Sequence, residues 1–281
     1  MCATALSTTK KTTNPRFAKL QPPRILFQNN HILAVHKPPG WQSVLDQELN
    51  HPKCLMQYLQ RQNLGGGSNG QYLKPIHRLD QPCSGVLLYA KTTKAASRIQ
   101  SNWNAKVHKT YHVVVETRSL PSSWNQHKAE FRVLRADMPV RRKFNQRSVC
   151  LVPNSTGAYE ISTAVVASNA QYAVLQVHTQ QGARHMIRAI LAAYGMPLAG
   201  DLRYGGDPVR ASNKNNNNRA LADQSVALHC TRLELDIALG SEASFDIRAP
   251  LPATWGPYFG FSSRVLSKLS SSSSSSKRNK V

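Results

Sequence analysis

The sequence predicts an α+β domain in which flanking helices cover a mixed, largely antiparallel central sheet. Three observations carry that prediction. Candidate elements run as strands, helix, strands, helix, strand, with little of the βαβ alternation that builds a parallel sheet. Lys109 to Glu116 is rich in β-branched and aromatic residues, and Leu233, Leu235 and Ile237 alternate with Glu234 and Asp236, both marks of strands. Ile187, Ile190, Leu191 and Tyr194 fall at i, i+3, i+4 and i+7, the spacing of one helix face. There is no convincing internal repeat and no P-loop, and nucleotide-cofactor chemistry has no support.

Taken in order, residues 1–23 form a basic arm rich in Thr and Ser, and no acid precedes Asp46. Arg24 to Gly40 reads as two short strands around Asn29-Asn30, stopped by Pro38-Pro39-Gly40. Leu49 to Leu64 is expected to be helical, with Leu55, Tyr58 and Leu59 at core spacing. Gly65 to Gly70 is expected to be a flexible loop. It delivers the chain to Asp80, a lone carboxylate beside an arginine and a Pro/Gly-punctuated turn, followed by a buried strand over Val86–Ala90. Thr92 to Ala105 is a helix whose apolar stripe is Ala95, Ala96, Ile99 and Trp103. In the strand from Lys109 to Glu116, Tyr111, Val113 and Val115 share one face.

Residues 117–150 are less regular, basic and short of balancing acids, and Pro139 to Arg147 is expected to be a mobile loop. Its Arg141, Arg142 and Lys143 are candidates for phosphate contact. Ile161–Ala167 and Tyr172–Thr179 are paired strands. The helix from Ala183 then ends at Gly195, placed for the C′ position with Pro197 beyond. Residues 206–224, with their Asn-rich run, are expected to be a disordered insertion. The globular part, residues 24–260, closes around Trp255, and residues 261–281 form a Ser-rich basic tail.

Lys and Arg number 36 against 14 Asp and Glu, a formal net charge of +22. Such a surplus attracts polyanions, of which nucleic acid is the commonest. No long apolar stretch and no basic amphipathic helix points to a membrane as the partner. Cys2, Cys54, Cys83, Cys150 and Cys230 are odd in number, widely spaced and free of CxxC pairs, which argues for a reducing compartment and against a zinc site or disulfide framework. His108 and His112 lie four apart without an acidic or Cys partner and read as ordinary polar residues. The acid-poor, hydroxyl-rich N-terminus has no apolar h-region, so an intracellular protein is expected. It is cytoplasmic, or mitochondrial or plastid if residues 1–23 act as a transit peptide rather than as an arm touching RNA.

The run His77-Arg78-Leu79-Asp80-x-x-Cys83-Ser84-Gly85-Val86-Leu87-Leu88 resembles the signature of the RluA family of RNA pseudouridine synthases. Further matches come in that family's order. They are Ile25 to Gly40 with Lys37-Pro38-Pro39-Gly40, then Lys109-Thr110-Tyr111, Gly182 to Arg188, Gly200-Asp201-Leu202-Arg203-Tyr204-Gly205, Ala227-Leu228-His229, and Ala249-Pro250-Leu251-Pro252. Together they span about residues 24–258. The resemblance implies the pseudouridine synthase fold without an S4 domain. It also implies isomerisation of specific uridines in tRNA or rRNA, with RNA as the partner, no obligate protein partner, a monomer, and neither metal nor organic cofactor.

In that chemistry the base is flipped out, the N1–C1′ bond breaks, and the uracil turns and rejoins through C5. Asp80 matches the family's catalytic aspartate, which attacks or stabilises an oxocarbenium-like centre or removes the C2′ proton. Arg188 matches the arginine that pairs with it, and a guanidinium beside a carboxylate favours its charged form and fixes its rotamer. Tyr111 matches the tyrosine that stacks on the target base and assists proton removal at C5. Arg78 matches the residue that fills the gap left by the flipped base, with a structural ion pair as the alternative. Lys109 is expected at a phosphate or a structural contact, and Arg184 at RNA. The chain departs from the family pattern at Cys83, Met186 and Ala183, which replace a Thr, a Gln and an Arg.

Overall fold

The computed structural model describes residues 21–44, 54–124, 132–136, 159–209 and 225–271. Its strands are β1 (Arg24–Gln28), β2 (Ile32–Lys37), β3 (Lys74–Pro75), β4 (Ser84–Ala90), β5 (Val107–Glu116), β6 (Arg132–Ala136), β7 (Tyr159–Ser168), β8 (Tyr172–Thr179), β9 (Leu228–Leu235) and β10 (Phe245–Arg248). They form one sheet in the order β1-β2-β4-β9-β5-β8-β7-β6, with β3 on β4 and β10 on β9. The helices are α1 (Leu55–Arg61), α2 (Thr93–Ser101), α3 (Trp103–Lys106), α4 (Met186–Ala193), α5 (Trp255–Phe259) and α6 (Ser263–Ser271). The α+β class with a mixed, largely antiparallel sheet is the one the chain adopts.

The exception to antiparallel pairing positions the site. β4 and β9 run parallel and pair only at Ser84↔His229 and Gly85↔Cys230. Gly85 has φ +122°, and a Cβ there would lie 2.4 Å from the backbone N and O of Cys230. Only glycine allows so close an approach of two backbones. This seam joins β1-β2-β4 to β9-β5-β8-β7-β6, and the loop ahead of β4 lands on it, where the Val226 N–H donates to the Pro82 carbonyl (3.0 Å).

Period-2 alternation then sorts the side chains. Tyr111, Val113 and Val115 of β5 join the larger core with Ile187, Ile190 and Leu191 of α4. Val114 joins a second core with Trp255, Phe259 and Phe261 on the other face. β2 and β4 are buried along their whole length, as strands covered on both faces are.

Several boundaries differ from expectation. The helix expected over Leu49–Leu64 is described only as α1; residues 49–53 lie outside the described residues, and Asn63 beyond it has φ +55°. α2 has the expected stripe and a Thr92 cap, whose Oγ1 accepts from the Ala95 N–H, but it stops at Ser101. Asn102 Nδ2 donates to the Arg98 carbonyl (2.9 Å), an Asn side chain competing for a helix carbonyl, and the short α3 follows. The Gly65–Gly70 run is a laced turn rather than a free linker. Gly65 N–H donates to the Gly70 carbonyl, Gly66 and Tyr72 exchange two bonds, and a Cβ on Gly66 would meet the Lys91 carbonyl at 1.7 Å.

The chain is placed through Val209, which is buried, so the insertion expected from residue 206 cannot begin before 210; residues 210–224 lie outside the described residues. The tail expected from residue 261 does not begin there. Phe261, Leu266 and Leu269 are buried in the second core, and α6 belongs to the folded body. Residues 1–20, 137–158 and 272–281 also lie outside the described residues, and with them Arg141, Arg142 and Lys143.

The interior holds histidines that no apolar count reveals. His36, His112 and His229 are buried; His112 Nδ1 lies 2.6 Å from Thr231 Oγ1 and His229 Nδ1 2.8 Å from Ser84 Oγ. Burial first, then neighbouring cations for His36 and His178 for His112, lowers both of these rings from 6.5 to about 4. Burial drives His229 well below its usual value too. Between pH 6.5 and 4 the unfolded chain therefore binds protons that the folded chain refuses. The stability these groups contribute is complete above the unfolded pKa and is lost as pH falls through that window. At about 1.4 kcal/mol per pH unit, His36 and His112 are each worth on the order of 3 kcal/mol, against a total of roughly 5–15 kcal/mol for a domain. Denaturant midpoints measured from pH 7 to pH 4 should fall steeply below pH 6; a flat profile would contradict this.

Candidate active site

Asp80 lies in the turn between β3 and β4, and both flanks of that turn are pinned. Ahead of it, Ser43 Oγ donates to the Leu79 carbonyl (2.7 Å) and accepts from the Leu79 N–H (3.1 Å). Behind it, Lys37 Nζ at the end of β2 donates to the carbonyls of Cys83 (2.6 Å), Gln81 (3.2 Å) and Pro38 (3.2 Å). Lys37 is completely buried. Burial lowers its pKa to about 8, with Asp80 pulling the other way, so it carries charge at neutral pH. The turn uses the backbone carbonyl of Cys83, and burial pushes the Cys83 thiol up, keeping it protonated.

Arg188 joins this turn to a second acid. It is 4% exposed on α4, whose residues Met186 to Leu191 are all buried. Nε and Nη2 donate to Oδ2 (2.6 Å) and Oδ1 (2.7 Å) of Asp201, and Nη1 donates to Asp80 Oδ2 (3.0 Å). Its guanidinium centre lies 5.2 Å over the Tyr204 ring. Burial works to discharge it, but the hydrogen bonds and charge of Asp201, with the charge of Asp80, more than offset that and raise its pKa.

The expected helix start at Ala183 is displaced to Met186, because His185 has φ +62° and caps α4 in the left-handed region. Its ring lies between Tyr204 and Asp80. Nδ1 is 3.0 Å from the Tyr204 hydroxyl and Nε2 is 3.7 Å from Asp80 Oδ2. Tyr111 sits on β5 where the pairing with β9 shifts register between Thr110 and Tyr111, an irregularity that re-aims a side chain. It is 8% exposed, and burial, aided by Cys230, raises its phenol well above the usual value, so it is a neutral O–H at physiological pH.

Asp80, Tyr111, Arg188 and His185 line one cavity of about 390 Å³, within the size range that accepts a small molecule. Arg78 and Arg184 also line it and are exposed, the placement a contact with RNA requires. Lys109 lines it differently. It is 3% exposed, and its Nζ donates to the carbonyls of Gln180 (2.9 Å) and Gln181 (2.8 Å), 5.0 Å over the Trp103 ring. Of the two contacts expected for it, the structural one is what the geometry supports, since the ammonium ties the end of β8 to β5 instead of facing phosphate. The sequence reading gave no role to Lys37, His185, Asp201 or Tyr204, although all four lie inside the matched motifs. The available signal was Asp201, a scarce acid directly after a glycine in a basic chain.

Comparison with known proteins bears on what this cavity does. A family model described as RNA pseudouridylate synthase matches residues 31–193, more than half of the chain, and spans Asp80, Tyr111 and Arg188. The chain is 29% identical over 195 residues to tRNA pseudouridine synthase C of Yersinia pestis, covering 64% of this chain and 70% of the relative. It is 26% identical over 247 residues to tRNA pseudouridine synthase C of Salmonella typhimurium, covering 82% and 86%. The solved human RNA pseudouridylate synthase domain containing 4 superposes with a TM-score of 0.56 at 17% identity, covering 84% of this chain and 92% of that one. At that identity the superposition is a likeness of fold.

Proposed function

Since the chain belongs to the RNA pseudouridylate synthase family, we propose that the cavity at the β4–β9 seam receives a flipped uridine of a structured RNA, tRNA or rRNA, and that Asp80 performs the glycosidic chemistry. The family makes the protein an isomerase and its substrate RNA. The observation that carries the finer reading is the Asp80–Arg188–Asp201 chain at the cavity wall. Arg188 holds Asp80 in one rotamer with its charge countered, as a group meeting the anomeric carbon needs. Tyr111 stacks on the uracil or donates a hydrogen bond to it. Its raised pKa argues against the phenolate that proton removal at C5 would call for. Arg78 fills the stack that the base vacates, and Arg184 meets a neighbouring phosphate. Two of the three sequence departures fit this arrangement: position 83 serves through its carbonyl, and Met186 is buried. The named relatives that act on tRNA make tRNA the first substrate to try.

Pseudouridine mapping of total RNA from cells lacking the protein should show one or more lost sites, restored by the wild-type chain and not by Asp80→Ala. If no site is lost, the protein is a catalytically silent RNA-binding member of the fold; if the variant restores them all, the chemistry does not run through Asp80; either result sinks the reading.

A further inference from the structure

We propose that His185 is a positioning residue for Asp80: with Tyr204 it holds the carboxylate oxygen that does not meet the sugar. The inference rests on the reading of Asp80 given above. Its starting point is the distribution of contacts on the carboxylate. Arg188 Nη1 at 3.0 Å and His185 Nε2 at 3.7 Å converge on the same atom, Oδ2. Oδ1 is then the oxygen left to approach C1′ or the C2′ proton.

The second observation is the hydrogen bond on the other side of the ring. A neutral imidazole carries one N–H, and its location follows from its neighbours. Besides Asp80 and Tyr204, the groups facing the ring are the cations Arg188, Arg203 and Arg184; burial and these cations lower its pKa to about 4, against the pull of Asp80. Were Nδ1 the protonated atom, the Nε2 lone pair would face a carboxylate and repel it. The arrangement that satisfies both contacts has the Tyr204 O–H donating to Nδ1 (3.0 Å) and the Nε2–H directed at Asp80. At 3.7 Å this last contact is longer than a hydrogen bond. Catalytic hydrogen bonds are often long in free enzymes and shorten when substrate closes the site.

The third observation is the backbone. His185 is a non-glycine residue at φ +62°, an uncommon conformation retained where the surroundings over-determine it. It occupies the N-cap of α4, yet its side chain makes no capping hydrogen bond. The helix would be served at that position by Asn or Ser. The ring is instead aimed across the end of the helix at Tyr204 and Asp80.

The test uses the full-length protein and an RNA in which it makes pseudouridine. His185→Gly keeps the positive φ without steric cost and removes the ring. We expect kcat to fall about 10- to 100-fold with KM for RNA within about twofold. Imidazole added to the buffer should restore part of kcat, more so above about pH 7 where added imidazole is neutral. Tyr204→Phe, which deletes the hydroxyl that sets the tautomer, should lower kcat severalfold in the same direction. A kcat for His185→Gly within twofold of wild type overturns the proposal. So does a loss that imidazole does not relieve and that travels with a raised KM or a lowered melting temperature. An Asp80→Ala arm separates the two readings. If that variant is active, the assignment of Asp80 fails; if it is inactive while His185→Gly is unimpaired, only the role of His185 fails.

Discussion

Asp80→Ala is expected to lower pseudouridine formation by at least about 10³-fold, while RNA affinity and the unfolding midpoint stay near wild type. The separation follows from how the charges are shared. Asp80 is a partly exposed wall of the cavity, its side chain 13% accessible, and Arg188 does not depend on it alone. With Asp80 gone, the guanidinium still makes two charge-assisted hydrogen bonds to Asp201, so no buried cation is stranded. The turn also keeps its shape, because Ser43 and Lys37 grip the backbone around position 80 rather than the carboxylate. Asp80→Asn sharpens the result: it preserves volume and can still accept from Arg188, but it lacks the negative charge. Single-turnover formation on a substrate RNA, binding by filter retention and a denaturant melt together check the expectation. Activity within tenfold of wild type for either variant would remove Asp80 from the chemistry.

How much of this was legible in the sequence depends on where the local signal lay. β4 was readable because a strand covered on both faces is a continuous apolar run, and β5 because β-branched residues and Tyr111 alternate along it. The parallel seam was not. It rests on two residue pairs between segments about 145 positions apart, and Gly85 betrays it only once Cys230 is seen against it. α6 was hidden by composition: serines dominate the segment, and the turn-spaced Leu266 and Leu269 that bury it are easily read as noise in a tail. The early end of α2 came from Asn102, whose side-chain bond to Arg98 no propensity total registers.

The site divides in the same way. Asp80, Tyr111 and Arg188 were recoverable because motif spacing marks them, and the folded chain brings all three to one cavity. Lys37 was given no role from its type, and Lys109 was left between a phosphate and a structural contact. A lysine is exposed by default, and here both ammonium groups are buried on loop carbonyls, holding the two segments that carry Asp80 and His185. Asp201 was missed as a partner because its contact with Arg188 runs from helix α4 to the turn that follows it, with no periodicity to link positions 188 and 201.

That contact produces the largest expected effect on stability. Arg188→Met should destabilise the fold by about 3–5 kcal/mol, because it leaves Asp201, 1% exposed, with neither of its two guanidinium donors. For a chain of this size each kcal/mol moves the melting temperature by roughly 2–4 °C, so a fall of about 10 °C is the expected reading. Activity should vanish with it, since Asp80 loses the donor at 3.0 Å. Arg188→Lys should not rescue either property, because a single ammonium cannot reach both oxygens of Asp201 and Asp80 Oδ2 in the planar fork that a guanidinium provides. The double variant Arg188→Met/Asp201→Asn discriminates between causes. Removing the stranded carboxylate should recover most of the lost stability and none of the activity, a coupling energy of opposite consequence for fold and chemistry. If Arg188→Met instead melts like wild type, the ion chain is incidental to the fold. If the double variant is as unstable as the single one, the cost lies in lost packing of the arginine stem among Met186 to Leu191 rather than in an unpaired charge.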